Sequence, residues 1–144
     1  MPELEQTIAI GFTAYMPSAG GQMVYSSKRI NTPFKIVGIA FWTEVAQIVN
    51  TYFEIYLASD EDSTSGARPT GIRIFPSGHP VALSTDDVPV KPDPLKVGIY
   101  PIWIPYRLDV PEENKTLKVW ARNTHATVDN TLHVIILIQP ITVP

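Results

Sequence analysis

The stretch Thr131-Leu-His-Val-Ile-Ile-Leu-Ile-Gln139 is apolar on both faces if it forms a β-strand. Alternation places Leu132, Val134, Ile136 and Ile138 on one face. Ile135 and Leu137 then lie on the opposite face. Because an antiparallel strand of a small domain normally keeps one face in water, the second apolar face must be covered. In a chain of 144 residues, we expect that cover to be another copy of the protein.

A period of two residues recurs along nearly the whole chain. Candidate strands fall at residues 7–15, 22–26, 34–43, 51–58, 72–75, 81–84, 97–104, 106–110, 116–123 and 131–139. The 14 prolines lie mostly between these apolar runs, and at most the segment 44–50 could form one helical turn. Short strands separated by turns predict an all-β protein. We expect a two-sheet antiparallel β-sandwich of eight or nine strands, jelly-roll-like rather than immunoglobulin-like, as a single domain over residues 1–144.

Charge and composition exclude several classes of function. The net charge is −3 with lysines and arginines scattered, so we predict no nucleic-acid binding, which needs a basic stripe. The absence of cysteine excludes disulfides and thiolate metal sites. The longest aliphatic run, residues 134–138, is far below the ~18 residues of a membrane span. No basic residue precedes Lys28, so no secretion signal is predicted.

No motif of catalysis or cofactor binding is present. The three histidines, His79, His125 and His133, lack the spacing of metal ligands. The segment Asp60-Glu61-Asp62 is the best candidate for a cation loop, although Gly66 comes one place late for a calcium loop and Gly71 stands where the final glutamate would be. A solvated loop tip is the simpler interpretation. We therefore predict no catalytic residue, no metal and no cofactor.

Apolar residues on the second face of the sandwich are the candidate interface between protomers. They are Tyr100, Ile102, Ile104, Trp120, Ile135 and Leu137. Full burial would contribute about 1.5–3 kcal/mol for each of these side chains. Association costs roughly 4–15 kcal/mol, so these residues could drive self-association only as one contiguous patch.

Aromatic residues interleaved with charges leave three interpretations open. On strand 116–123 the inward residues would be Leu117, Val119 and Ala121, which leaves Lys118, Trp120 and Arg122 outward. One interpretation is a carbohydrate- or receptor-binding site formed by Tyr52, Tyr56, Trp120 and Arg122. The second is an interface between protomers, where Trp, Tyr and Arg are enriched. The third is a core covered by the second sheet or a loop.

Residues 101–139 carry a resemblance to a class of proteins. They run Pro-Ile-Trp-Ile-Pro-Tyr-Arg-Leu-Asp-Val-Pro, a turn, Leu-Lys-Val-Trp-Ala-Arg-Asn, a polar loop, and Leu-His-Val-Ile-Ile-Leu-Ile. This pattern resembles the closing strands of jelly-roll-like β-sandwich structural proteins in virus particles, especially of viruses that infect bacteria and archaea. No functional residue is carried over from it.

The resemblance implies a non-enzymatic virion or coat component, located in the virion or in the cytoplasm of the infected cell. Its partners would be further copies of itself, with other virion proteins or surface glycans as additional candidates. We therefore expect a self-associating structural protein. The alternative is a carbohydrate- or receptor-binding module.

Overall fold

The computed structural model describes residues 6–18, 22–45, 51–62, 69–75, 101–123 and 125–141, with the backbone alone described for 22–24, 51 and 52. These ranges contain eight β-strands and no helix. The strands are β1 (Ile8–Met16), β2 (Gln22–Ile30), β3 (Phe34–Thr43), β4 (Thr51–Ala58), β5 (Ile72–Phe75), β6 (Ile102–Val110), β7 (Lys115–Asn123) and β8 (Asn130–Pro140). The all-β class predicted from the period of two is confirmed.

The strands pair as one long antiparallel hairpin that is folded over on itself. The first strand pairs with the last, β2 with β7, β3 with β6, and β4 with β5. Folding this hairpin over adds two more ladders, β3 with β8 and β4 with β7. The result is two sheets, sheet A in the order β1-β8-β3-β6 and sheet B in the order β2-β7-β4-β5. This nested pairing is the topology of a jelly roll, as predicted.

The core lies between the two sheets and is filled from the inner face of each. Phe41 of sheet A packs edge-on against Phe53 of sheet B, with ring centroids 4.8 Å apart. Phe53 also stacks on Phe75, with centroids 5.8 Å apart. Both Phe41 and Phe53 are fully buried. Aromatic contacts of this kind join the two sheets beyond the effect of burial alone.

A β-bulge in β3 reverses the alternation of side chains along that strand. Strict alternation from Phe34 would place Ala40 and Trp42 inward and Ile39 and Phe41 outward. The ladders to β6 and β8 shift register between Ile36 and Gly38, so the extra residue reverses the alternation. Ile39 and Phe41 are therefore buried, whereas Ala40 and Trp42 are only partly buried on the outer face. Ile39 and Phe41 thus share the inner face with Phe34 and Ile36.

Two other boundaries differ from the predicted ones. β6 continues through Pro105, where two separate strands were expected. Proline is tolerated there because β6 is an edge strand of sheet A, where one side of the backbone needs no ladder partner. β2 extends to Ile30, beyond the predicted end at residue 26. The predicted strand 81–84 and the first part of 97–104 lie outside the described residues.

Gly71 and Gly11 form a matched pair for a test of the backbone. Gly71 has φ of +115°, and a Cβ there would lie 2.5 Å from the Leu57 carbonyl oxygen. Gly11 lies in β1, and nothing lies within 4 Å of an added Cβ. We expect Gly71→Ala to lower the free energy of unfolding by about 1–3 kcal/mol. Gly11→Ala should leave it unchanged or raise it by about 0.5–1 kcal/mol. Urea unfolding at low protein concentration measures both, and equal losses would contradict the strand assignment of Gly11.

Candidate functional site

β8 lies in the middle of sheet A, and its two faces differ in burial. Its inward residues Leu132, Val134, Ile136 and Ile138 are at most 3% exposed. The outward residues His133, Ile135 and Leu137 are only partly buried. The second sheet of the chain therefore packs on one side of β8 alone. The other side is the outer face of sheet A.

Two transverse rows of residues make this outer face apolar. The row through Ile135 contains Gly11 of β1, Ala40 of β3 and Trp103 of β6. The row through Leu137 contains Ala9 of β1, Gly38 of β3 and Pro105 of β6. We call these eight residues the apolar face. Its central strand carries large aliphatic side chains, and the neighbours on β1 and β3 are small.

Trp103 is the most exposed large residue of the apolar face, at 51%. Its indole ring lies across Gly38, since a Cβ at residue 38 would overlap the far edge of the ring. The glycine lets the ring lie on the backbone of β3, so the ring spans the outer face from β6 to β3. Exposed tryptophan is uncommon on the surface of a monomer and is enriched at interfaces.

A polar border adjoins the apolar face beyond Ile135. His133 Nε2 lies 2.9 Å from Glu44 Oε1, and His133 Nδ1 lies 3.3 Å from Thr13 Oγ1. The imidazole ring stacks on Trp42, with centroids 5.1 Å apart and planes at 21°. The side chain of His133 is 23% exposed. These contacts fix the orientation of the histidine on the outer face.

Tyr15 and Asp129 continue this border. The Tyr15 hydroxyl donates to Asp129 Oδ2 at 2.8 Å, and the backbone N–H of Ser18 donates to Asp129 Oδ1 at 2.7 Å. These donors stabilise the carboxylate and lower the pKa of Asp129, with the Ser18 N–H as the larger cause. The same contact raises the pKa of the Tyr15 phenol. Tyr15 remains 53% exposed.

The opposite end of the apolar face is also polar. Gln139 Nε2 donates to Thr7 Oγ1 at 3.0 Å. Gln139 pairs in register with Lys35, which in turn pairs with Asp109. An apolar centre between polar borders is the arrangement found in protein interfaces.

Only part of the predicted interface lies on this face. Ile135 and Leu137 do, as expected. Ile102 and Ile104 instead pack against the core, because they are in register with the buried Phe41 and Ile39. Their predicted placement on the second face is wrong. Tyr100 lies outside the described residues.

Trp120 belongs to the outer face of sheet B, where it is buried within a single chain. It is in register with Tyr25 on one side and Glu54 on the other. Exposure is 1% for Trp120 and 7% for Tyr56. This burial agrees with the third interpretation, a covered core, and it removes both rings from the surface of the monomer. Arg122 is partly buried, and the side chain of Tyr52 is not described.

The buried outer face of sheet B also carries charged groups in pairs. Glu54 is fully buried and accepts hydrogen bonds from Arg73 Nη1 at 2.9 Å and from the Tyr56 hydroxyl at 2.8 Å. Lys118 is likewise fully buried, and its ammonium donates to Asp60 and, at 2.8 Å, to Thr70 Oγ1. Buried charges need such partners, because desolvation of an unpaired charge costs several kcal/mol.

Asp60 follows β4, and its side chain contacts Thr70, which precedes β5, and Lys118 of β7. Its carboxylate accepts from Lys118, from the Thr70 hydroxyl and from the backbone N–H of Asp62. These donors, with Lys118 first, lower the pKa of Asp60 to about 2. The neighbouring Glu61 pairs with Arg29 at 3.4 Å. The acidic segment 60–62 is therefore engaged with basic and hydroxyl groups of the chain itself.

The sequence predicts no metal site and no membrane span. Within the described ranges, no group of three or more His, Asp and Glu side chains is placed to hold a metal ion. In the same part of the chain, no helix is long and apolar enough to cross a membrane. His79 lies outside the described residues.

The sequence analysis missed Trp103 and the small residues around it. Alternation along β6 carried the signal, because Ile102, Ile104 and Leu108 form one face. Trp103 then falls on the other face, with Pro105 and Arg107. The glycines at 11 and 38 gave no such signal, since only the pairing of β1, β8, β3 and β6 brings them into the rows of Ile135 and Leu137.

No protein-family model matches the chain, and no curated protein matches it. Among solved structures, the chain is similar to the acidic stable capsid structure of Helicobacter pylori bacteriophage KHP30. The identity is 11% and the TM-score 0.46, over 97% of this chain and 97% of that chain. It is also similar to the infectious bursal disease virus VP2 subviral particle, at 13% identity and TM-score 0.40, over 94% of this chain and 32% of that chain.

A structure of infectious bursal disease virus Gx strain matches at 13% identity and TM-score 0.35, over 95% of this chain and 36% of that chain. The chain thus spans about a third of the two bursal disease virus chains. All three neighbours are structures of viruses or their particles. They are of the class that the resemblance of residues 101–139 names.

The ion pair between Lys118 and Asp60 predicts a specific acid dependence. A carboxyl whose pKa is about 2 in the folded chain, against 3.8 for an ordinary aspartate, stabilises the fold above about pH 4 and loses that contribution as the pH falls towards 2. We expect Asp60→Asn to be less stable than the wild type at pH 6, with the difference shrinking between about pH 4 and pH 2. Urea unfolding at several pH values tests this. Asp62→Asn, which removes a charge from the same loop, is the control, and an identical acid profile for the two variants would contradict the assignment.

Proposed function

We propose that the chain is a non-catalytic structural subunit that assembles with copies of itself through the apolar face of sheet A. The assembly would be a virus particle, which is what the resemblance of residues 101–139 implies. One observation carries the proposal. Trp103 is half exposed beside the partly buried Ile135 and Leu137, on a sheet whose opposite face already forms the core.

The area of the outer face of sheet A is compatible with a small contact between identical subunits. Four strands about 4.8 Å apart, over eight residues of about 3.4 Å each, give a face of roughly 500 Å² on each copy. Two such faces bury about 1,000 Å², which is the lower limit for a specific interface. A subunit with one contact of this size associates weakly. A subunit that uses it together with other contacts in a closed shell gains by multivalency.

The estimated free energy of the contact also indicates weak association. Trp103, Ile135 and Leu137 are already partly buried, so covering each would contribute about half of the usual 1.5–3 kcal/mol. Six such side chains from two copies contribute roughly 5–9 kcal/mol, and association costs about 4–15 kcal/mol. The apolar face is therefore sufficient for a weak and reversible contact, and insufficient for a permanent dimer on its own.

A second candidate function is binding of a carbohydrate or a receptor. It is favoured by the polar border, where the exposed Tyr15 adjoins Asp129 and where Trp42 stacks on His133. Aromatic rings beside carboxylates suit a sugar, since rings stack on its apolar side and carboxylates accept from its hydroxyls. This border replaces the predicted set Tyr52, Tyr56, Trp120 and Arg122, in which Trp120 and Tyr56 are buried.

A substitution on the apolar face tests the proposed function. Leu137→Lys places a charge in the centre of the face, and we expect at least a tenfold rise in the dissociation constant with the fold retained. Ile72→Lys is the matched control, because Ile72 is an exposed aliphatic residue of sheet B, at 73%. Light scattering across a concentration series measures both. A wild type that stays monomeric, and that binds glycans through Tyr15, would reject assembly and favour the second candidate.

A further inference from the structure

We infer that the turn of residues 125–128, between β7 and β8, is an acid-sensitive switch that the neutral ring of His125 holds closed. The turn opens when the imidazole takes up a proton, because the ring nitrogen that binds the turn then becomes a donor. The switch requires neither self-association nor any partner on the outer face of sheet A. It lies at one end of the sandwich, where the chain passes from sheet B to sheet A.

Side chains, rather than a backbone ladder, hold the connection between β7 and β8 closed. His125 Nδ1 lies 3.1 Å from the backbone nitrogen of Thr127 and 3.1 Å from that of Val128. The backbone N–H of His125 donates to Asn123 Oδ1 at 2.9 Å. Within residues 125–129, as far as the structure describes the connection, no hydrogen bond joins two backbone groups. The closed form of the turn therefore depends on the acceptor at His125.

The two contacts of Nδ1 fix the protonation state of the His125 ring. A backbone N–H can only donate, so Nδ1 must offer its lone pair to both Thr127 and Val128. The ring proton then belongs to Nε2, and the imidazole is neutral. A proton on Nδ1 would point at two backbone donors, so the charged ring loses both hydrogen bonds. Only the neutral form is compatible with the closed turn.

Asn123 anchors the closed turn to the end of sheet A. This side chain is fully buried, and its Nδ2 donates to the Val128 carbonyl oxygen at 2.9 Å and to the Met16 carbonyl oxygen at 3.1 Å. Val128 is thus held through its N–H by His125 and through its carbonyl by Asn123. Met16 is the last residue of β1, so the turn that leaves sheet B is fastened to sheet A.

Other titratable groups beside the turn keep their charge in mild acid. Asp129 follows the turn, and its donors lower the pKa of its carboxyl, which stays ionised. The same contact raises the pKa of the Tyr15 phenol on β1, which stays neutral. Arg122, next to Asn123 on β7, is charged throughout. The protonation that opposes the closed turn is therefore that of His125.

The direction of the pH effect follows from the tautomer. Histidine ordinarily changes its charge between about pH 5 and pH 8. The closed turn makes its hydrogen bonds with the neutral ring alone, so they are present at the upper end of this range. They are lost as the pH falls and the ring becomes charged. The turn is thus closed near neutral pH and open in mild acid.

Amide hydrogen exchange followed by NMR tests the switch at about pH 7.5 and about pH 5, on either side of the usual titration of histidine. The rates are corrected for the intrinsic exchange rate at each pH. We expect the protection factors of the Thr127 and Val128 amides to fall roughly tenfold or more at the lower pH. The amide of Ile136, in the central strand β8, is the internal reference and should keep its protection.

His125→Asn is the decisive variant, because asparagine Oδ1 occupies the same place along the side chain as histidine Nδ1. It accepts from backbone N–H groups of the next residues and does not titrate in this range. We expect this variant to protect the turn equally at both pH values, whereas His125→Ala should protect it at neither. His133→Gln is the matched control, since His133 pairs with Glu44 on the outer face of sheet A, away from the turn. It should reproduce the fall seen in the wild type.

Four results would overturn the switch. They are equal protection of the turn at both pH values in the wild type, an unprotected turn in the wild type at about pH 7.5, a fall in His125→Asn as large as in the wild type, and loss of the pH dependence in His133→Gln. The wild type and the asparagine variant decide the test, so it does not depend on whether His125→Ala folds.

Discussion

The structure depends on the antiparallel pairing of the first strand with the last. β8 receives hydrogen-bond ladders from β1 on one side and from β3 on the other, which places the most apolar strand of the chain in the middle of sheet A. A central strand has no backbone edge in contact with water, so its side chains can be apolar on both faces without exposing an aggregation-prone edge. One face then completes the core, and the other becomes the centre of the apolar face.

The outer faces of the two sheets differ in how far their side chains are buried. The outer face of sheet B is closed within the chain, with Trp120 buried and the charges of Glu54 and Lys118 paired. The outer face of sheet A keeps Trp103 half exposed above a surface of glycine, alanine and aliphatic side chains. Among the described residues, the outer face of sheet A is the one with a half-exposed tryptophan beside partly buried aliphatic side chains. The paired partners let Glu54 and Lys118 be buried without an uncompensated charge.

Sequence reasoning identified the period of two, the all-β class and the inward set of β8, since these depend on local alternation alone. Sequence reasoning did not predict the orientation of side chains whose position depends on pairing between distant strands. The bulge beside Gly38 reverses the alternation of β3, and alternation alone does not show it, although a glycine within a strand often marks a bulge. The strand was divided at Pro105, whereas an edge strand accepts proline. The inward orientation of Ile102 depends on its pairing with the buried Phe41. The burial of Trp120 depends on tertiary packing, and the open space around Gly11 depends on strand order.

The central claim is that a second copy covers the apolar face. Hydroxyl-radical footprinting of the wild type, at concentrations below and above the point of self-association, tests it most directly. The account predicts that oxidation of Trp103 falls several-fold as the protein assembles, while oxidation of the exposed Ile72 on sheet B stays constant. If the protein assembles and Trp103 remains as reactive as in the monomer, copies associate through another surface and the account is wrong.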